Sequence, residues 1–133
     1  METIYYPRPT SIDPIEDSIV IERADNASGT SLQGQITASY DFLCKVFGPP
    51  TETSEHSYLD GGGKVNCEWD LYIDGEIVTI YAWKQGVKYT KVTEWHVGGQ
   101  NKMAEKLVRE AILLYKEHVK AVKALEGVLG LSN

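Results

Sequence analysis

Residues 65–83 alternate apolar and polar side chains on both sides of a single Asp-Gly step, a pattern that leaves few folds open. Val65, Cys67, Trp69, Leu71 and Ile73 fall on one side of a period of two, with Asn66, Glu68, Asp70 and Tyr72 on the other. After Asp74-Gly75 the pattern resumes over residues 76–83, where Val78, Ile80 and Ala82 oppose Ile77, Thr79, Tyr81 and Trp83. Asp-Gly accepts the positive φ angles of a tight primed turn, so the two runs are expected to pair as an antiparallel hairpin. A third strand is expected over residues 87–95. Gly98-Gly99 then ends it, turning the chain sharply before a helix and leaving backbone N–H groups outward as a candidate anion site.

Upstream of the hairpin the signals are shorter. Pro7, Pro9 and Pro14 block helix and central strand alike, so residues 1–17 read as an arm, with Ile4, Tyr5 and Tyr6 able to pack on a neighbouring surface. The single domain follows over residues 18–133. Ile19, Val20 and Ile21 mark a short strand, residues 25–29 a turn, and residues 32–37 its return. Thr37 or Ser39 caps a short helix whose Tyr40, Leu43, Cys44 and Phe47 recur at helical spacing, and Gly48-Pro49-Pro50 stops it. Residues 51–63 read as a polar loop. The longest element is expected over residues 101–125, with Leu107, Val108, Ala111, Leu114, Val122 and Leu125 at helical spacing. Its apolar surface exceeds what one small sheet needs, so a homo-oligomer through this helix is expected; a helix that crosses its own sheet and folds over at Gly127 would serve equally. The predicted fold class is α+β: an antiparallel sheet, a short helix after the first strands and one long C-terminal amphipathic helix.

Charge limits the partners. Residues 1–60 carry 10 acidic and 3 basic side chains and residues 61–133 carry 9 and 10, so the net charge of −6 resides in the first half. With no Lys/Arg cluster, binding along a nucleic-acid backbone is not expected. Acidic side chains are scattered singly, which does not favour DNA mimicry. Cys44 and Cys67 lack CxxC or His-rich spacing and read as two buried thiols. Without an apolar run of about 18 residues or a signal peptide, no membrane span is expected, which points to the cytoplasm.

No metal site, cofactor or catalytic residue is assigned. His56, His96 and His118 fall in a loop, a strand end and a helix, and no nucleophile elbow, Walker loop or dinucleotide fingerprint occurs. Glu68 and Asp70 share a strand face at the spacing a general acid/base pair could use, and read as solvated carboxylates. His96 reads as structural. Binding chemistry is better represented. Tyr81, Trp83, Tyr89 and Trp95 offer flat faces that can stack a base, and Lys84, Lys88, Lys91, Lys102 and Arg109 offer cations for phosphate. The alternative is that the aromatics are core and the lysines solvated. The candidate ligand residues are Trp83 and Trp95 for stacking and Lys84, Lys102 and Arg109 for phosphate.

The segments Thr37-Ala38-Ser39-Tyr40-Asp41-Phe42-Leu43, Phe47-Gly48-Pro49-Pro50, Lys64-Val65-Asn66-Cys67-Glu68-Trp69, Val78-Thr79-Ile80-Tyr81-Ala82-Trp83-Lys84 and Thr93-Glu94-Trp95-His96-Val97-Gly98-Gly99 resemble a family of small proteins of tailed bacteriophages and prophages. The resemblance covers about residues 30–100 and names no activity by itself. Small accessory phage proteins often antagonise host defence, and the chain is similar in kind to the Thoeris and CBASS anti-defence sponges, small α+β oligomers that sequester nucleotide immune signals without cleaving them. The resemblance therefore implies a non-enzymatic protein of the host bacterial cytoplasm that binds a cyclic ADP-ribose-type or cyclic oligonucleotide signal. An inhibitor that caps a host defence effector, and a minor virion component, are the alternative functions.

Overall fold

The computed structural model describes residues 3–9, 17–54, 65–83 and 86–130. In chain order they form strands β1 (Ile4–Pro7), β2 (Ser18–Arg23) and β3 (Ser31–Thr37), helix α1 (Tyr40–Phe47), and strands β4 (Glu52–Thr53), β5 (Val65–Ile73) and β6 (Glu76–Trp83). A 3₁₀ turn at Tyr89–Lys91, strand β7 (Glu94–Gly99) and helix α2 (Met103–Leu129) complete them. One antiparallel sheet runs in the order β1-β2-β5-β6-β7-β3, with β4 added to β5. The fold is α+β, as the sequence leads one to expect.

The hairpin forms as its residue types require. Asp74 and Gly75 have φ of 50° and 80°, the left-handed values of a primed turn. Strand alternation then sorts side chains between two faces. Trp69, Leu71, Ile73, Val78, Ile80, Ala82, Trp95 and Val97 point into the core, where α1 and α2 cover them. The indoles of Trp69 and Trp95 meet edge-on at 5.3 Å. Each satisfies its N–H on a carbonyl flanking α1, Trp69 on Gly48 and Trp95 on Ala38, both at 2.9 Å. The Tyr6 hydroxyl donates to the Val46 carbonyl within the same helix, so three aromatic side chains fix α1 by their polar tips.

Five local expectations are corrected. Residues 4–7, expected within an arm, are an edge strand: Tyr6 is buried, and Pro7 stands last in the strand, where a missing N–H is tolerated. Residues 87–92, expected as strand, hold the 3₁₀ turn instead, because Tyr89 packs edge-on against Tyr40 at 5.2 Å. Gly98 and Gly99 do not turn the chain. They are the buried last residues of β7, paired with β6 on one side and β3 on the other, so their amides serve the ladder rather than an anion. Helix α2 starts at Met103, its N-terminus capped by the Asn101 side chain, and runs through Gly127 to Leu129. The loop expected over residues 51–63 contains β4, and its residues 55–63 lie outside the described residues. Among the described residues no helix is long and apolar enough to cross a membrane.

Candidate functional site

The face of the sheet opposite the helices carries the other half of each alternation. Register sets two rows across it. Glu68, Tyr81, His96 and Gln35 form one, and Asp70, Thr79 and Gly98 form the other. The two strands joined by residues 24–30, β2 and β3, stand four inter-strand steps apart, about 19 Å, which a connection of this length spans only when nearly extended. The connection crosses this second face, so Ala27 and Thr30 stand above the rows. Beneath them lies a cavity of about 310 Å³ lined from the sheet by Glu68, Thr79, Tyr81, Trp83 and Gly98. Glycine at position 98 keeps the floor open, since a Cβ there would lie 2.3 Å from the Thr79 hydroxyl oxygen.

Two groups of side chains stand at this cavity, with Glu68, Tyr81 and Trp83 in its lining and Asp70 and His96 beside them. The first is an aromatic wall. Trp83, 37% exposed at the rim, lies nearly parallel to His96 at 6.4 Å and 18°, while Tyr81 meets both rings edge-on. The second is a carboxyl pair. Asp70 is 9% exposed, and its Oδ1 is buried with no hydrogen-bond partner among the described residues. Glu68 is hydrogen-bonded to Asp70, and burial, followed by that bond and by the charges of Asp70 and Glu52, pushes its carboxyl from 4.5 up to about 8. Glu68 therefore holds a proton at neutral pH, and its single O–H donates either to Asp70 or, with a ligand bound, into the cavity. Burial and the neighbouring Glu68 also raise the Tyr81 phenol, which stays protonated. The pair expected to be solvated is thus half-buried at Glu68, which is protonated, and buried at Asp70.

The predicted ligand residues do not converge. Trp83 borders the cavity. Trp95 is fully buried between Trp69 and the start of α1, so its ring serves the core and has no face for a ligand. Lys102 and Arg109 lie at the edge of the sheet on the helical side. The Lys102 ammonium donates to the Gln33 carbonyl at 2.7 Å, and Arg109 donates to the Gln35 carbonyl at 2.8 Å and pairs with Glu105. They cap open carbonyls of the edge strand β3, a structural use that separates them from Trp83. Lys84 lies outside the described residues. Sequence reasoning weighed Glu68 with Asp70 as an acid/base pair and read both as solvated, and it passed over Thr79 and the connection above them; the alternation of residues 66–72 was the one signal that placed the two carboxyls together. Cys44 and Cys67 are unbridged, with burial raising both thiols, Cys67 to about 12. Among the described residues no group of three or more His, Cys, Asp or Glu side chains is placed to hold a metal ion. No protein-family model, curated protein or solved structure matches this chain.

Proposed function

We propose that the protein is a non-enzymatic phage anti-defence protein that sequesters a small nucleotide immune signal, the ligand class the sequence resemblance implies, in the cavity on the open face of the sheet. The observation that carries this reading is the half-exposed Trp83 ring beside a cavity whose inner wall holds a protonated carboxyl. A purine-like ring stacks on Trp83, and Glu68 donates to a ring nitrogen or carbonyl that accepts. Among the described lining residues, Glu68, Thr79, Tyr81 and Trp83 carry chemistry suited to a base.

Thermal unfolding against a panel of cyclic ADP-ribose isomers and cyclic oligonucleotides tests this. A ligand at 100 times its Kd stabilises the native state by about 2.7 kcal/mol, a shift of several degrees for a domain of this size. One compound is expected to give that shift and to be recovered unchanged after heat release. No shift with any compound would overturn the proposal. The Glu68–Asp70 pair favours a second reading, in which Glu68 hands its proton to a leaving group of the bound molecule. A cleaved product, absent with Glu68→Gln, would establish that reading instead.

A further inference from the structure

The core-facing stripe of α2 does not stop where the sheet stops. Ala104, Val108 and Ala111 are buried, and at the same alternating spacing of four and three follow Tyr115, His118, Val122, Leu125 and Leu129. That is the seam of a heptad pattern. Beyond Tyr115, whose ring meets Phe42 and Tyr6, the seam runs on uncovered, with Val122, Leu125, Val128 and Leu129 exposed. Lys116 and Lys120 project on the other side at 100° per residue, Glu117 and Lys123 stand at the two margins of the apolar stripe, and Glu126 lies on its flank.

We propose that two copies of this chain pair antiparallel through the second half of α2, with Val128 and Leu129 of each copy seated in a groove of the other. The groove, about 250 Å³, lies between Pro7 and Pro9 and the helix residues Leu114, Glu117, His118 and Ala121. Val128 and Leu129, 83% and 60% exposed, are the apolar knobs at the helix tip. The helix tip of a chain does not reach its own groove, because the helix carries Leu129 about 16 Å along its axis from His118 without a break at Gly127. An antiparallel copy with Val122 of one helix against Leu125 of the other sets Leu129 against His118 twice, and so closes both grooves. The same register places Glu126 of each copy within about 3 Å, along the axis, of the level of Lys123 of the other, so the one acid on the flank finds a cation. A parallel pair would leave both grooves open. This use of the helix is independent of the ligand cavity, which lies on the opposite face of the sheet.

Sedimentation velocity of the full chain across micromolar to millimolar concentration tests the pairing. The expected result is a species of twice the 14.8 kDa chain mass, reduced to a monomer by Leu125→Glu or Val128→Asp with the far-ultraviolet circular dichroism per residue preserved. Lys123→Glu is expected to weaken the dimer and Glu126→Lys, added to it, to restore the dimer. A wild-type chain that stays monomeric at every concentration, or a dimer unmoved by these substitutions, overturns the proposal.

Discussion

Glu68 is the residue on which the open face turns. Its carboxyl binds a proton in the folded protein up to about pH 8 but in the unfolded chain only up to about 4.5. Between those values the native state holds more protons, so this group's contribution to stability is fully present below pH 4.5 and is lost as pH rises toward and through 8. Glu68→Gln keeps a donor and removes the titration. The expected outcome is that wild type loses stability relative to Glu68→Gln as pH rises through this window, measured by urea unfolding; parallel pH profiles would contradict the assignment. Gly99 matters at the same scale for a different reason. A Cβ there would lie 2.3 Å from the Ala104 Cβ and 3.3 Å from the Ile77 carbonyl, with backbone or helix obliged to move. Gly99→Ala is expected to cost about 1–3 kcal/mol, the range of overpacked cores, in the same unfolding experiment.

Elements joined by a turn could be read locally, and those joined across the sheet could not. The β5–β6 hairpin lies where the sequence puts it, because alternation and Asp74-Gly75 act within one stretch of chain. Trp83 and Trp95 look alike in sequence, yet one borders a cavity and the other is core. The face of Trp95 follows from the register that pairs Val97 with Ile80, a relation between distant segments. Likewise, Lys102 and Arg109 meet backbone carbonyls only because β3 is an edge strand. The cavity itself depends on residues 24–30 crossing three strands, which no local pattern announces. Arg8 shows how such distant elements are held. It follows β1 and reaches α2 through two bonds to Glu110, at 3.1 and 2.9 Å, and the hairpin turn through Asp74 at 2.7 Å. Those bonds raise the guanidinium further above its usual range. Partial exposure tempers each one, and Arg8→Ala is expected to cost about 1–2 kcal/mol, or about 5 °C in Tm, with a smaller difference at high salt.

For the whole molecule, the sheet separates two tasks. One face packs α1 and α2 into a core where the N–H groups of Trp69 and Trp95 and the Tyr6 hydroxyl find carbonyl partners in α1 or flanking it. The other carries the aromatic wall and carboxyl pair under the connection of residues 24–30. Lys102 and Arg109, two of the cations expected to hold phosphate, are spent on the edge of β3, so under the proposed function it is the ring of the ligand that Trp83 and Glu68 meet. Calorimetric titration of the nucleotide panel into wild type, Trp83→Ala and the double variant Lys102→Ala/Arg109→Ala tests this most directly. The account expects binding that Trp83→Ala abolishes and the double variant leaves within a few-fold of wild type. Binding that survives Trp83→Ala but disappears in the double variant would move the site to the helical edge and contradict it.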